Sequence, residues 1–402
     1  MHIVFANRYF APDVSATSQI VSDLAQHLAS LGYRVEVITS RQLYDDAGAK
    51  LPARQTVKGV HVRRIRTSTF GRDTLPGRAL DYLTFYLSFF VSCLSVLQKD
   101  SVLVCCTDPP LLSIPASLAC LIKRARLINW LQDVYPEVAV ALGVMGKRSP
   151  LTRCLTWLRD HSLRAAHRNV VLGEVMGQKI QAHGLDPDRI SIVHNWSIAP
   201  FAPPGPGGWD NPLRRDWGIA DRFVVGYSGN LGKAHEIETL LQAAQALRSE
   251  AGICFLIIGA GHYTPELQRR ARALRLENIH FQPYQPLEQL HYSLAAADVH
   301  LVILRPEMEG CIVPSKFYGA AASGRPIIFI GSEQGEVAHI LRREQAGIVV
   351  TTGDDRALAT AILALRDQPG LHAELGTNAR RISEETYTRE HSLAQWAKLI
   401  QG

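Results

Sequence analysis

The chain has 402 residues, of which 47% are hydrophobic and 20% are charged, a composition typical of folded globular proteins rather than disordered ones. This length predicts two domains of roughly 200 residues each, because a single core rarely grows so large. The formal charge of +6 suits an anionic ligand or membrane surface but is too diffuse to indicate nucleic-acid binding. We therefore expect no nucleic-acid partner.

The first residues, MHIVFANRYFAP, enter a strand pattern at once and lack the basic-then-apolar layout of a signal peptide. The seven cysteines are scattered and form no CxxC pair, which argues against zinc ligation and favours a reducing compartment. We therefore expect a cytoplasmic protein without a bound metal.

The first half of the chain alternates short β-branched runs with helical patterns. Strands are predicted at residues 2–7, 34–40, 60–67, 102–106 and 126–130, and an amphipathic helix at residues 15–31. Such alternation indicates βα units on a mostly parallel sheet, in which ligands bind at the carboxyl ends of the strands.

Residues 79–97 combine a wide apolar face with one polar stripe, formed by Asp81, Thr84, Ser88, Ser92 and Ser95. The segment is shorter and more polar than the ~20 apolar residues of a secure transmembrane span. Five arginines precede it, at positions 63, 64, 66, 72 and 78. Two interpretations stay open: a helix lying in an anionic membrane surface, or a helix buried on the sheet of the first domain.

Residues 201–212 are dense in proline and glycine and are predicted to link two domains, residues 1–200 and 201–387. The second domain has its own strands, predicted at residues 223–230, 253–261, 278–284, 298–304, 325–331 and 347–350. The last segment, 388–402, is predicted to be a helix that packs back on the first domain. The expected fold class is α/β, with two doubly wound Rossmann-like domains facing a central cleft.

The stretch EGCIVPSKFYGAAASGRP, residues 309–326, suits the binding of a sugar attached to a phosphate. Glu309 can accept hydrogen bonds from sugar hydroxyls, and Lys316 can face a phosphate as a point charge. Pro314 and Ser315 form the turn between them. If Ser315 and Lys316 open a helix, its first N–H groups meet the same phosphates. The alternative is a strand–turn–helix connection with an incidental lysine.

Three further places carry candidate residues. In YSGNLGK, residues 227–233, the loop at Gly229 and Asn230 permits close backbone approach, and Lys233 stands where a phosphate would lie, although glycines are common in such turns. Tyr284 ends a predicted strand and can hold a nucleotide base. In the first domain, Ser15 lies in a strand–helix loop, and Asp133 follows a strand, either as a ligand of a sugar hydroxyl, as a general base, or as a turn carboxylate.

The segments FAPDVSAT, QDVYPE, VHNW, YSGNLGK and EGCIVPSKFYGAAASGRPI together resemble those of glycosyltransferases of the GT-B fold, in the retaining family-4 group. Within that group they look like the transferases of colanic acid and O-antigen assembly, which add sugars to lipid-linked carriers at the inner membrane face.

The resemblance implies that Lys233 holds the donor diphosphate and that Glu309 binds donor-sugar hydroxyls. The second glutamate of the family motif falls at Gly319, and the histidine that usually precedes the aspartate is Gln132, so that Asp133 stands alone. Asp133, Lys233 and Glu309 are therefore the catalytic candidates.

The implied function is retaining, metal-independent hexosyl transfer in bacterial surface polysaccharide synthesis. The nucleotide-sugar donor is a UDP-sugar in the favoured case, a GDP-sugar is possible, and no cofactor is expected. The implied partners are a lipid-linked saccharide acceptor and the cytoplasmic membrane surface, on whose inner face the protein would be peripheral. Two alternatives stay open: a nucleotide-sugar epimerase of GT-B architecture, and a non-catalytic nucleotide-sugar-binding protein.

Overall fold

The computed structural model describes residues 1–46, 48–71, 74–198 and 211–402. The predicted linker at 201–212 lies outside these ranges, apart from its last two residues. The chain divides into two compact units. The first comprises Met1–His194, Gly310–Ile312 and Ser392–Gly402, and the second comprises Asn195–Glu309 and Val313–His391.

Eight strands form the sheet of the first unit: β1 (His2–Ala6), β2 (Arg34–Ser40), β3 (Arg54–Val57), β4 (Val60–Ile65), β5 (Val102–Cys106), β6 (Arg126–Trp130), β7 (Arg168–Val171) and β8 (Ile190–Ile192). They lie in the order β3-β4-β2-β1-β5-β6-β7-β8, and the pairing of β3 with β4 is antiparallel among otherwise parallel neighbours. All five residues of β5 are buried, so the central strands are covered on both faces and consist of continuous apolar runs.

The first six helices also belong to this unit: α1 (Ala16–Ser30), α2 (Leu75–Val96), α3 (Ser113–Lys123), α4 (Glu137–Ala141), α5 (Pro150–Ala165) and α6 (Glu174–Gln181). Ser15 precedes α1, and Gly32, with φ of 85°, lets the chain turn after it toward β2.

Helix α2 has three faces with different surroundings. Phe85, Phe89 and Cys93 are fully buried in the core of the unit. The polar stripe lies against the preceding loop: Asp81 accepts hydrogen bonds from Ser68 Oγ at 2.7 Å and from two backbone N–H groups. The third face points outward, and its large apolar side chains are 46 to 66% exposed: Leu80, Leu83, Leu87 and Val91. The burial of one side agrees with the predicted packing on the sheet, whereas contact of the exposed side with a membrane surface stays a prediction.

The second unit contains six strands in the order β11-β10-β9-β12-β13-β14, all parallel. They are β9 (Phe223–Ser228), β10 (Ile253–Ile258), β11 (Ile279–Gln282), β12 (Val299–Ile303), β13 (Ile327–Gly331) and β14 (Gly347–Thr351). Its helices are α7 (Pro212–Asp216), α8 (Glu238–Ala246), α9 (Thr264–Ala273), α10 (Leu290–Ala295), α11 (Lys316–Ala322), α12 (Glu336–Glu344), α13 (Asp355–Asp367) and α14 (Pro369–Glu385).

The last helix, α15 (Arg389–Gln401), contributes its residues from Ser392 onward to the first unit. Trp396 is fully buried, with its ring centroid 4.5 Å from that of Trp130 at the end of β6. Arg126 donates a hydrogen bond to the carbonyl of Ile400 at 3.0 Å. The α/β class predicted from the sequence, with two Rossmann-like sheets, is confirmed, whereas the short strands β3 and β7 were not predicted.

Candidate active site

The strand order of the second unit reverses direction at β9, which lies between β10 and β12. In parallel sheets of this kind, ligands bind at the carboxyl ends of the strands beside such a reversal. The loop that follows β9 begins with Gly229 and Asn230, two of the predicted donor-binding residues.

Three glycines let the loops after β9 and β10 pack against one another. Gly229, Gly259 and Gly261 have φ of 129°, 120° and 156°, which side chains rarely allow. A Cβ on Gly259 would lie 2.6 Å from the Gly229 carbonyl oxygen and 3.0 Å from Cε1 of Tyr284. A Cβ on Gly261 would lie 2.5 Å from Oδ1 of Asn230. The structure therefore brings Gly229, Asn230 and Tyr284 together, and the Tyr284 side chain is 56% exposed.

Lys316 joins this group from another part of the chain. It is the first residue of α11 and follows Ser315, as the sequence predicted, and Pro314 before it is buried. Its stem lies over Gly229, where a Cβ would be only 2.7 Å from Lys316 Cε. Its Nζ lies 3.2 Å from His235 Nε2 and 5.3 Å from the centroid of the Tyr227 ring. Burial lowers the pKa of the Lys316 ammonium to about 8.

Lys233 has a different environment. Its side chain is exposed, and it makes no hydrogen bond or ion pair to any part of the chain that the structure describes. Helix α8 begins five residues later, at Glu238, so Lys233 stands in the loop rather than at a helix entrance. Its contact with a donor diphosphate stays a prediction.

The Glu309 carboxylate lies over Gly335, the residue that precedes α12. A Cβ on Gly335 would be 2.5 Å from Cδ of Glu309. The positive end of the α12 dipole favours a negative charge at this position. Gly319, which occupies the place of the second motif glutamate, lies within α11, and the nearest atom to a Cβ there is 3.5 Å away on Leu294.

Asp133 and Ser15 belong to the first unit. Asp133 follows β6, and its Oδ1 is buried without a hydrogen-bond partner in the described structure. Burial raises the pKa of the Asp133 carboxyl to about 6, although a hydrogen bond with the Thr107 side chain opposes the rise. A buried carboxylate with an unused oxygen is available to a ligand hydroxyl. Ser15, by contrast, hydrogen-bonds Asp13 through both its backbone N–H and its hydroxyl.

Two family models match the chain. Residues 15–196 match a glycosyl transferase 4-like domain, and residues 222–368 match the glycosyl transferases group 1 family. This chain is a glycosyltransferase of the GT-B fold.

Named relatives of the glycosyltransferase come from bacteria. It is 27% identical to the glycosyltransferase WbjE of Pseudomonas aeruginosa, over 82% of this chain and 81% of that protein. It is 24% identical, over the full length of both, to a protein of Escherichia coli strain K12 named as the colanic acid biosynthesis glycosyl transferase WcaI. Among solved structures, Anabaena HepE in complex with UDP has the same fold, with a TM-score of 0.74, 15% identity and complete coverage of both chains.

Three residues of this glycosyltransferase's candidate site were not predicted. Tyr227 and His235 contact the Lys316 ammonium, and Gly335 lies under Glu309. No local pattern marks them, because each matters only through a partner that is distant in the sequence. The described residues contain no group of three or more His, Cys, Asp or Glu side chains placed to hold a metal ion.

Proposed function

We propose that this glycosyltransferase is a retaining, metal-independent hexosyltransferase, which moves a sugar from a nucleoside-diphosphate donor to a lipid-linked saccharide acceptor. UDP is the favoured donor nucleotide, GDP is the alternative, and no further cofactor takes part. The reaction serves bacterial surface polysaccharide synthesis. The protein works in the cytoplasm, bound peripherally to the inner face of the plasma membrane.

One observation carries the donor half of this proposal: the Lys316 ammonium lies over the glycine loop at the strand-order reversal. Lys316 forms no ion pair with any described residue, so the protein does not neutralise its charge. A diphosphate is a ligand that such a cation and closely packed backbone loops accommodate. The exposed ring of Tyr284 beside them is suited to stack on the base.

The relatives support the class of reaction. WcaI is named for colanic acid biosynthesis, and HepE was crystallised with UDP. The name of WcaI agrees with assembly of a surface polysaccharide, and the UDP bound to HepE agrees with a nucleotide-sugar donor. The resemblance of the sequence implies the same two features.

In the proposed reaction, the bond between the anomeric carbon and the β-phosphate oxygen breaks. The acceptor hydroxyl oxygen then bonds to the same carbon on the same face, and its proton passes to the departing phosphate oxygen, so that no separate base is needed. Lys316 stabilises the departing diphosphate, with Lys233 as a second cation from the loop. Glu309 accepts hydrogen bonds from hydroxyls of the donor sugar. Asp133 accepts a hydrogen bond from a substrate hydroxyl through its buried, unpartnered oxygen.

Labelled UDP- and GDP-hexoses, incubated with the purified protein, test this function. We expect release of the nucleoside diphosphate only when a bacterial lipid extract supplies the acceptor. Lys316→Met should lower the rate by at least about a hundredfold, because a charge-stabilising group of this kind contributes that much to catalysis. The exposed Lys147→Met serves as the control. Donor conversion without any acceptor would identify an epimerase instead, and binding without turnover would indicate a non-catalytic protein.

The outward face of α2 supports the membrane half of the proposal. This helix, over Pro76–Val96, is long and apolar enough to cross a bilayer, a test that core helices of globular proteins also pass. Only 28% of its most apolar stretch is buried in the protein. The hydrogen bonds of Asp81 hold the helix to the loop before it, so we propose that it lies in the membrane surface rather than across it.

A basic groove runs beside that apolar face. It has a volume of about 490 Å³, and its lining includes Leu87, Val91 and arginines at positions 54, 63, 64 and 66. Arg64 is buried and donates hydrogen bonds to the carbonyls of Pro52 and Ala11, so the other three arginines are the ones available to a ligand. The described lining residues include no acidic side chain. Arginines beside exposed apolar residues suit an anionic lipid surface, where phosphate groups meet the guanidinium groups.

Sedimentation with lipid vesicles tests the membrane proposal. We expect binding to vesicles that contain phosphatidylglycerol and much weaker binding to pure phosphatidylcholine. A triple variant, Leu83→Gln, Leu87→Gln and Val91→Gln, should lose most of this binding, whereas Leu274→Gln on the second unit should not. Equal sedimentation of the triple variant and the wild type would contradict the proposal.

A further inference from the structure

Among the residues that the structure describes, the recorded contacts of the Lys316 ammonium are with neutral groups. Its nearest polar partner is His235 Nε2 at 3.2 Å, and the Tyr227 ring lies 5.3 Å away. Tyr227 lies in β9 and His235 in the loop between β9 and α8, whereas Lys316 opens α11. The contact therefore joins two segments that both flank Gly229.

The hydrogen bonds of His235 decide what its ring presents to the lysine. Nδ1 lies 3.0 Å from the Gly232 carbonyl oxygen, which can only accept, so Nδ1 carries the proton. Nε2 then offers a lone pair to the ammonium. Burial, together with the nearby Lys316 charge, lowers the pKa of His235 to about 4, so the ring is neutral at physiological pH. The Tyr227 ring meets the imidazole edge-on, with centroids 6.0 Å apart.

A neutral acceptor orients a cation without cancelling its charge. A carboxylate in the same place would attract the ammonium more strongly but would also repel an incoming anion. Glycine at position 229 leaves the space that the lysine stem occupies, since a Cβ there would be 2.7 Å from Lys316 Cε. The lysine is thus confined by packing on one side and by a hydrogen bond on the other.

We propose that His235 is a positioning residue, whose neutral Nε2 holds the Lys316 ammonium in place as a preformed cation for the donor diphosphate. The inference rests on the proposed function, because it takes the ligand to be a nucleoside diphosphate. His235 itself acts through Lys316 and not on the sugar.

Calorimetric binding of UDP, uridine and inorganic pyrophosphate tests this role in a double-mutant cycle. We expect His235→Ala to weaken the binding of UDP and of pyrophosphate about tenfold, which is the scale of one hydrogen bond to a charged group. The affinity for uridine should not change. His235→Gln should restore most of the affinity, since its amide oxygen can accept from Lys316. In the Lys316→Met background, His235→Ala should have no further effect. His339→Ala, an exposed histidine on α12, is the matched control.

The pH dependence supplies a second readout. UDP affinity of the wild type should fall above about pH 8, where the Lys316 ammonium loses its proton, and this fall should be absent in Lys316→Met. Phosphate groups are fully ionised in that range and do not contribute to the change.

Three results would overturn the inference, and the first two concern His235→Ala. One is a tenfold loss of UDP affinity from His235→Ala that persists in the Lys316→Met background. The other is an equal loss of uridine affinity in His235→Ala. Either result would mean that His235 has only a structural role. UDP binding that is unaffected by Lys316→Met would also end it, while leaving nucleotide binding itself intact. The protein could also bind pyrophosphate, with the effect of His235→Ala lost in the Lys316→Met background, and yet bind neither UDP nor GDP. That result would support the role of His235 and refute the proposed function.

Discussion

The Asp133 carboxyl lies where ionisation is unfavourable, because burial raises its pKa from 3.8 to about 6. A group whose pKa is raised by folding stabilises the protein fully below its ordinary pKa, and this contribution is lost as the pH rises through 6. At pH 8 the ionised carboxylate is therefore a destabilising group. Such a group is more easily understood as a ligand-binding residue than as a structural one.

Asp133→Asn should consequently raise the stability of the protein and lower its turnover. We expect a gain of about 1–3 kcal/mol in unfolding free energy at pH 8 and little change at pH 4, together with at least a tenfold loss of turnover. Denaturant unfolding at the two pH values and a donor-turnover assay measure both effects. Lower stability at pH 8 with full turnover would assign Asp133 a structural role.

Gly335 offers a way to displace Glu309 without altering it. The backbone at Gly335 has φ of −79° and ψ of 159°, which any residue adopts, so Gly335→Ala introduces no backbone strain. The three atoms nearest to its Cβ all belong to the flexible end of the Glu309 side chain. We expect stability to change by less than about 1 kcal/mol, while turnover falls as far as in Glu309→Gln.

Gly370→Ala is the control for this substitution, because no atom lies within 4 Å of the Cβ it adds. Unchanged turnover in Gly335→Ala would mean that the observed position of the Glu309 carboxylate is unimportant for the reaction.

Helices α4, α5 and α6 are joined by one buried group of charges. Arg159, on α5, donates to Glu137 Oε1 at 2.7 Å, to Asp160 Oδ1 at 2.6 Å and to the carbonyl of Tyr135 at 3.2 Å. His183, just after α6, lies 3.3 Å from Glu137 and 3.4 Å from Asp160. The network thereby fixes the segment that leads from Asp133 into α4.

The network predicts a pH dependence of stability. Hydrogen bonds to Asp160 and Glu137 raise the pKa of His183 from 6.5 to about 9. Its contribution is thus complete below pH 6.5 and is lost as the pH rises through 9. We expect the loss of the His183 proton to lower the unfolding free energy of the first unit by about 1 kcal/mol between pH 6 and pH 10. This value allows for the partial exposure of the ring. His183→Gln should remove that part of the dependence in denaturant unfolding followed at both pH values; an unchanged pH profile would contradict it.

Prediction from sequence succeeded for elements with a strong periodic pattern. The apolar runs of β9, β10 and β13 predicted buried parallel strands. The possibility that Ser315 and Lys316 open a helix, raised from the sequence, matches the start of α11. Strand β3 escaped prediction because its RQTV residues are mostly exposed at a sheet edge and show no alternation. The inward direction of the α2 polar stripe was also unpredictable, since it depends on hydrogen bonds to the loop at 68–71.

In the candidate site, too, features marked by local sequence were predicted and features that depend on distant contacts were not. Local sequence marked Gly229, Asn230, Glu309 and Lys316, because loops after strands are recognisable. It did not show which of Lys233 and Lys316 is buried beside the glycine loop, because the burial of Lys316 depends on His235 and Tyr227, which pack against it from another segment.

At the scale of the whole chain, the C-terminal helix is a structural part of the first unit. The fully buried ring of Trp396 contacts Trp130, and Gln401 donates a hydrogen bond to the Tyr33 hydroxyl at 2.8 Å. Trp396→Ala should lower the unfolding free energy of the first unit by about 3–5 kcal/mol, because it leaves a cavity. Trp157→Ala, at a tryptophan that is 63% exposed, should cost less than about 1 kcal/mol. Calorimetric unfolding that shows equal effects of the two substitutions would refute this.

A ribosome makes the residues of α15 only after those of the second unit. Until they emerge, the nascent upstream half has its eight strands but lacks the tryptophan that closes its core beside β6. The downstream unit, which ends at His391, is complete about ten residues earlier. The N-terminal half can thus finish folding only after the whole second unit has been made, and a chain interrupted before Trp396 would leave Trp130 without its cover.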